Sequence, residues 1–177
     1  MNLIINSSPK DDLSVGIALA QRLVQVLGGP QDMIRLYEEQ DGYFEFKFND
    51  QWIERIMNAK NLIIPIAMWN FGVPAAFKDF LDKISKRGKL WELDGGNRMT
   101  GLLKDRPVYV IMTSGFEYET GHPNDFVAPY LKAVWASFGI HDVRIFRLGG
   151  IDSSRTLSQD DAYLKRRTEE MLRSFGI

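Results

Sequence analysis

Five short apolar segments alternate with amphipathic helical segments along this chain of 177 residues. The alternation predicts an α/β protein, because parallel strands need crossover connections that helices usually supply. We expect strands at residues 2–6, 33–37, 61–66, 107–113 and 142–147. We expect helices at residues 14–27, 50–58, 74–84, 127–138 and 158–174, and a loop or small hairpin over residues 89–106. Asp50 is expected to cap the second helix, Pro74 to open the third and Gly88 to end it.

The order of the strands decides where a ligand can bind. Right-handed crossovers leave few topologies, and the flavodoxin-like order 2-1-3-4-5 places the switch point between the first and third strands. We therefore predict a three-layer sandwich with helices on both faces of a five-stranded parallel sheet, forming a single domain over residues 1–177. Ligands of such sheets bind outside the carboxyl ends of the strands, which directs attention to the loops at residues 7–13, 67–73 and 114–125.

The composition excludes several kinds of chemistry. The chain has no cysteine and only two histidines, so we expect no disulfide, no thiolate nucleophile and no metal site. A net charge of -1 gives no general attraction to nucleic acid. No segment is long and apolar enough to span a membrane, and the first residues do not resemble a secretory signal, so we expect a cytoplasmic protein. Difficult chemistry would therefore need a bound cofactor.

The loop after the first strand is a candidate anion site. Ser8 can donate its hydroxyl hydrogen to a phosphate oxygen, and a helix that begins at Ser14 would point its first amides at the same place. Val15 and Gly16 supply such amides, and glycine also permits a close approach. The alternative is that Ser8-Pro9 forms only a turn and that Ser14 caps the helix, since the loop has neither a Walker motif nor a G-x-G-x-x-G pattern.

The loop at residues 67–73 runs from a buried strand into a helix and carries two large aromatic side chains. At such a strand end, Trp69 and Phe71 would expose apolar area unless a flat ligand covers them. Asn70, between them, offers donors and an acceptor suited to the edge of a heterocycle such as the pyrimidine ring of a flavin. The alternative is that both rings close the top of the core, but the position at the switch point favours a ligand site.

Together these segments resemble the FMN-dependent NADH:quinone oxidoreductases, also called NADH-azoreductases, which have a flavodoxin-like fold. The most specific part of the resemblance is the run Met68-Trp69-Asn70-Phe71-Gly72-Val73-Pro74, and the serine loop supports it. The likeness covers most of the chain. It continues through Gly88-Lys89-Leu90-Trp91, Gly101-Leu102-Leu103, Thr113-Ser114 and residues 130–140.

The resemblance implies which residues bind FMN. The phosphate site would be formed by Ser8, Ser14, Val15 and Gly16. The loop that holds the isoalloxazine would be Met68, Trp69, Asn70 and Phe71. The second flavin loop would be Ser114, Gly115, Phe116 and Glu117.

The resemblance also implies a ping-pong reaction that needs no protein nucleophile. Reduced nicotinamide, from NADH or NADPH, would pass hydride to N5 of the flavin, and a quinone or an azo compound would then replace it on the same face. Asn70 would stabilise the reduced flavin through hydrogen bonds. His122 could donate a proton or a hydrogen bond to the acceptor, although an ordinary surface histidine is the alternative.

Family members are commonly homodimers, and the sequence offers two features in support. One is Trp91. The other is the segment at residues 43–48, where aromatic residues alternate with charged ones up to Phe48, so that an extended chain would have one apolar face. The alternative is that this segment, residues 43–48, packs on its own sheet.

Four departures from the family pattern put the substrate range in doubt. Phe116 and Glu117 stand where the family has two glycines, and Gly16 replaces a common serine donor. Ala67 stands where proline is common, while Pro65 lies inside the third strand and predicts that this strand ends early. The segment between the second and third strands is also short.

Two other functions therefore stay open: an FMN-binding electron carrier without nicotinamide turnover, and a regulatory binding protein whose flavin site is closed.

Overall fold

The computed structural model describes residues 1–39, 47–117, 119–151 and 157–177. Its main sheet has five parallel strands in the order β2-β1-β3-β6-β7. The strands are β1 (Asn2–Asn6), β2 (Gln31–Arg35), β3 (Asn61–Ala67), β6 (Val108–Thr113) and β7 (Val143–Leu148). This confirms the predicted order, with the switch point between β1 and β3.

Five α-helices and one small hairpin complete the described part of the chain. The helices are α1 (Val15–Leu27), α2 (Asp50–Asn58), α3 (Ala75–Ile84), α4 (Val127–Ser137) and α5 (Asp161–Phe175). The antiparallel hairpin consists of β4 (Trp91–Leu93) and β5 (Met99–Gly101), within the segment predicted as a loop or hairpin. Two 3₁₀ turns, Asp11–Leu13 and Leu157–Gln159, precede α1 and α5.

The sheet separates two hydrophobic cores because successive side chains of a strand point to opposite faces. Leu3 and Ile5 of β1 pack with α2, α3 and α4, whereas Ile4 packs with α1 and α5. The largest fully buried side chains include Trp52 of α2 and Trp135 of α4. Each such burial stabilises the fold by about 2 kcal/mol or more. The predicted helices on both faces are confirmed.

The edge strand β2 begins two residues earlier than predicted. Its ladder with β1 runs from the pair Asn2–Gln31 to the pair Asn6–Arg35, and the amide of Asn2 donates to the carbonyl of Pro30 at 2.8 Å. The prediction relied on apolar residues, but backbone pairing with β1 recruits the polar Gln31 as well. The range 33–37 is therefore wrong by two residues at each end.

The helix ends also differ from the predictions, and two of the helices are capped by the side chain of the residue just before them. Asn49, not Asp50, caps α2 by accepting from the amide of Trp52 at 3.0 Å. Pro74 precedes α3 as its N-cap residue, and α3 ends at Ile84, four residues before Gly88. The last predicted helix starts at Asp161 rather than at residue 158, because the Asp160 side chain accepts from the amide of Tyr163 and the 3₁₀ turn stands apart.

At the C-terminal end of α3, the Trp91 indole donates to the carbonyl oxygen of Ser85 at 3.2 Å, which satisfies a group that a glycine cap would otherwise serve. Trp91 also packs against the core of its own chain. It therefore gives no support to a dimer.

Pro65 does not end β3 early. The strand continues to Ala67 and pairs with β6 as far as Thr113. On its other side, however, β3 pairs with β1 only as far as Ile63, so the proline lies where these two strands have already parted. A missing N–H costs no ladder hydrogen bond at such a place.

We predict that Gly101→Ala lowers the free energy of unfolding by about 3 kcal/mol. The added Cβ would lie 2.0 Å from the backbone nitrogen of Gly139, so the backbone must move. Gly95→Ala in the same hairpin is the matched control, because its Cβ meets no heavy atom within 4 Å. Urea unfolding measures both variants. Equal midpoints would contradict the close contact between β5 and the end of α4.

Candidate functional site

A cleft of about 310 Å³ opens at the carboxyl ends of β1, β3 and β6. Many of the residues predicted for an FMN site line it, namely Ser8, Ser14, Val15, Met68, Trp69, Ser114 and Gly115. Lining residues that the prediction did not include are Pro9, Lys10, Leu13, Ala67, Thr113, Ile151 and Ser158. The remaining predicted residues, Gly16, Asn70, Phe71, Phe116 and Glu117, lie beside the cleft in sequence but do not line it.

The buried Asn6 at the end of β1 shapes the first loop. Its side-chain oxygen accepts from the amide of Ser8 at 2.8 Å, and its side-chain nitrogen donates to the carboxylate of Asp11 at 2.6 Å. The neighbouring Ser7 hydroxyl donates to the carbonyl of Pro65 at 3.1 Å and ties the loop to β3. Sequence analysis missed Asn6, although an asparagine at a strand end before a Ser-Pro turn was a usable signal.

Asp11 has specific partners outside the cleft. Besides the bond from Asn6, its carboxylate lies 3.5 Å from Nε of Arg35, and the residue does not line the cleft. Its negative charge is therefore balanced away from the cleft. An anion at the start of α1 would meet helix amides rather than this carboxylate.

The first turn of α1 leaves its donors available. Ser14 holds the N-cap position with extended dihedral angles, yet its side chain makes no capping hydrogen bond. Ser14 is thus the N-cap residue, as the alternative expected, but its hydroxyl is not used to cap the helix. Lys10 adds a basic side chain to the wall of the same cleft. The site thus combines hydroxyl, amide and ammonium donors, the set that a phosphate group requires.

Gly16 lets α1 lie close to β3. A Cβ at this buried position would lie 3.3 Å from the Cβ of Pro65 and 3.7 Å from a methyl group of Thr113. A serine would have to displace the proline ring slightly. The glycine that replaces the family's serine is thus explained by packing against Pro65.

The loop after β3 is a tight turn with strained backbone. Asn70 and Phe71 have φ angles of 48° and 62°, and Trp69 and Gly72 exchange two backbone hydrogen bonds of 3.0 and 2.9 Å around them. Two successive left-handed residues are typical of a type I′ turn, in which asparagine is favoured and phenylalanine is not. The turn presents both rings to solvent, with Trp69 49% and Phe71 41% exposed. They do not close the top of the core, so that alternative is wrong.

The loop after β6 is held by hydrogen bonds and by a close backbone contact. Ser114 Oγ donates to the carbonyl of Phe116 at 2.8 Å, and the carbonyl of Ser114 accepts from the amide of Ile151. A Cβ on Gly149 would lie only 2.6 Å from the Cα of Glu117, so glycine is required opposite this loop. The Phe116 ring is 48% exposed and lies 5.7 Å from the Phe71 ring, centroid to centroid.

A second cavity of about 320 Å³ is lined by the turn after β3, by α3 and by the start of α4. Its lining residues are Phe71, Gly72, Val73, Lys78, Phe126, Val127 and Tyr130. A hydrogen bond to Asp82 raises the pKa of Lys78, and burial raises the pKa of Tyr130. Near neutral pH, therefore, the lysine is charged and paired while the tyrosine is neutral, and the other lining residues are apolar.

His122 is exposed in the loop before α4, where its Nδ1 accepts from the amide of Asn124 at 3.2 Å. It lines neither cavity. Among the residues that the structure describes, no group of three or more His, Asp or Glu could hold a metal ion. No helix in the same described ranges is long and apolar enough to cross a membrane.

The parallel sheet, with a cleft at the switch point between β1 and β3, defines a flavodoxin-like α/β protein. A family model described as flavodoxin-like fold matches residues 2–173, and the chain belongs to this family. The FMN-dependent NADH:quinone oxidoreductase 1 of Colwellia psychrerythraea is 32% identical over 120 residues, which are 67% of this chain and 62% of that protein. The corresponding oxidoreductase 1 of Trichormus variabilis is 40% identical over 95 residues, 54% of this chain and 45% of that protein. The chain spans about half the length of the curated relatives it matches.

Solved structures share the fold over nearly the whole chain. An FMN-dependent NADH-azoreductase from Bacillus anthracis, in complex with FMN, superposes with a TM-score of 0.77 at 23% identity and covers 97% of both chains. An NAD(P)H:quinone oxidoreductase from Methanothermobacter marburgensis has a TM-score of 0.68 at 16% identity, covering 99% of this chain and 97% of that one. At these identities, the likeness establishes the flavodoxin-like fold.

We predict that Phe71→Gly is more stable than Phe71→Ala by about 1 kcal/mol. Both variants remove the ring, but only alanine keeps a Cβ in the left-handed conformation. Gln21 is the control position, because it is exposed and lies in the middle of α1, where glycine is less favourable than alanine. There the glycine variant should be the less stable of the pair. Urea unfolding measures the difference in stability between the glycine and alanine variants at each position. If the glycine variant were the more stable one at both positions, or the less stable one at both, the left-handed turn would be contradicted.

Proposed function

We propose that this protein is an FMN-dependent NAD(P)H:quinone oxidoreductase that also reduces aromatic azo compounds. The observation that carries the proposal is a single cleft that combines a phosphate-type cradle at the start of α1 with the Trp69 turn after β3. The names of the sequence relatives and of the solved structures support the same reaction class.

The residues present fit FMN at the phosphate end of the cleft. Ser8 and Ser14 would donate their hydroxyl hydrogens to the phosphate, together with the amides of Val15 and Gly16. The N-terminal end of α1 favours a negative charge there, and Asp11 is held away by its own partners.

The other end of the cleft fits the flat isoalloxazine ring. Met68 and Trp69 would flank the ring system, and Asn70 would donate hydrogen bonds toward its edge from the tip of the turn. Ser114 and Gly115 would lie along the opposite wall. A cleft of about 310 Å³ lies within the range of roughly 300–1,000 Å³ typical of small-molecule sites.

When bound, FMN supplies the two-electron chemistry, taking hydride from NADH or NADPH and reducing a quinone or an azo group. Overall, one reduced nicotinamide, one proton and one quinone give the oxidised nicotinamide and the hydroquinone. The chain contributes binding, orientation and hydrogen bonds, and it needs no nucleophile of its own. Because His122 lines neither cavity, we assign the proton to water rather than to this residue.

The acceptor side of the proposed site is aromatic and apolar. The Phe71 and Phe116 rings pack together on the loops after β3 and β6, and the cavity that Phe71 lines has few polar groups. Such walls favour flat, weakly polar acceptors. The site is also open: Phe116 and Glu117 do not line the cleft, which argues against a binding protein whose flavin site is closed.

We further propose a homodimer, a single domain and a cytoplasmic location. Exposed aromatic rings near the site, including Phe126 at 59% exposure, support a partner subunit. The segment at residues 43–48, also expected to support a dimer, lies mostly outside the described residues.

Two cores on opposite faces of one sheet support a single domain. Use of NADH or NADPH supports the cytoplasm, where these nucleotides are found.

One preparation tests the proposed function. We expect the purified protein, reconstituted with FMN, to show bound flavin absorbance that NADH or NADPH bleaches without oxygen and that a benzoquinone restores. Failure to bind FMN would overturn the proposal. Binding without bleaching by either nucleotide would instead identify an electron carrier.

We predict that Ser14→Asp weakens FMN binding at least tenfold, because it places a carboxylate beside the phosphate. Ser14→Asn is the neutral control of similar size, and both residues are good N-caps, so neither variant should lose stability. Riboflavin, which lacks the phosphate, should bind both variants equally well. Titration by flavin fluorescence measures the affinities. Equal FMN affinity of the Asp and Asn variants would refute the anion site.

A further inference from the structure

One serine in the wall of the cleft has a hydroxyl group without a hydrogen-bond partner in the described part of the chain. Ser158 lines the cleft, and its Oγ is buried with no hydrogen-bond partner among the described residues. A buried polar atom without a partner is uncommon and destabilises the protein that contains it. This orphaned hydroxyl therefore needs an explanation, and its position in the cleft suggests one.

Ser158 lies opposite the start of α1. It belongs to the 3₁₀ turn Leu157–Gln159, which contacts both α1 and the other 3₁₀ turn, Asp11–Leu13. Both turns thus border the place where Ser14 and the first amides of α1 are exposed. The ion pair between Arg22 of α1 and Asp161 of α5, at 2.5 Å, joins the two helices next to this turn.

The position of Ser158 places it at the phosphate end of the cleft rather than at the ring end. The ring end carries Trp69, Met68 and Gly115, which belong to the loops after β3 and β6. The phosphate end carries Ser14 and Lys10, on the elements that the Ser158 turn contacts. A phosphate has several acceptor oxygens, and a hydroxyl is a donor that suits them.

We propose that Ser158 is an additional phosphate ligand, whose hydroxyl donates to the FMN 5′-phosphate from the side opposite Ser8 and Ser14. The inference rests on the proposed function and assigns a new contact to the same site. Without ligand the hydroxyl is buried and unsatisfied, and with ligand it gains an acceptor. Cofactor binding would thus link the segment before α5 to the first turn of α1.

The test compares Ser158→Ala with the unmodified protein in three measurements. We expect FMN affinity to fall about tenfold, the size expected for loss of a hydrogen bond to a charged group. Riboflavin affinity should change by less than about twofold, because riboflavin has no phosphate. The melting temperature of the flavin-free protein should be unchanged or higher, since the variant removes an unsatisfied buried group.

Ser137→Ala is the matched control. The hydroxyl of Ser137 donates to the carbonyl of Val134 within α4, on the other face of the sheet, so its loss should change neither flavin affinity. Unchanged FMN affinity in Ser158→Ala would overturn the inference, as would an equal loss for FMN and riboflavin. If the unmodified protein binds neither FMN nor riboflavin, the proposed function itself fails. That result differs from the two results that would overturn only the role of Ser158.

Discussion

The site depends on the parting of β1 from β3. Their ladder ends at the pair Ile4–Ile63, whereas both strands continue, and the space between them opens at their carboxyl ends. Backbone groups released there must find other partners. The Ser7 hydroxyl does this on one side by donating to the carbonyl of Pro65. The proline needs no partner for its nitrogen, so it is tolerated inside a central strand at this one place.

The same proline sets the position of α1. Gly16 faces the Pro65 ring so closely that a Cβ would have to displace it, and the helix start is thereby brought close to the cleft. In an α/β sheet the first helix usually carries the anion site, because its amides point at the switch point. Here the contact between Gly16 and Pro65 allows α1 to lie close to β3, together with the apolar side chains that α1 buries. The absence of a family-typical serine at position 16 is the consequence of this contact.

Two of the four non-glycine residues with positive φ in the described part of the chain, Asn70 and Phe71, are neighbours in the turn after β3. Phe71 in a left-handed conformation costs about 1–2 kcal/mol relative to the ordinary backbone. The two hydrogen bonds between Trp69 and Gly72 hold the turn in spite of this cost. Strained residues of this kind are found at functional sites, where the conformation places a side chain that a relaxed loop would not. In this protein the turn places Trp69 in the cleft and Phe71 against Phe116.

Periodicity in the sequence predicts the five strands and the helices that cover them, because burial imposes that pattern on every buried segment. The strand order follows instead from right-handed crossovers and the flavodoxin-like topology. Periodicity fails to predict the ends of strands and helices whose hydrogen-bond partners come from distant parts of the chain. The polar start of β2 depends on pairing with β1, and the end of α3 depends on an indole from Trp91. The serine and aromatic loops are predictable from their composition. Lys10 and Ser158 are not, since a single polar residue in a loop has no period and only the fold brings it to the cleft.

The loop after β6 illustrates how a departure from a family pattern can be accommodated. Phe116 and Glu117 occupy positions where two glycines would allow a close approach. In this chain the close approach remains, but the glycine stands on the opposite strand end, where Gly149 meets the Cα of Glu117. A contact between two backbones requires a missing side chain on only one of them. Position 116 can therefore carry an aromatic ring, and this ring packs against Phe71 of the loop after β3.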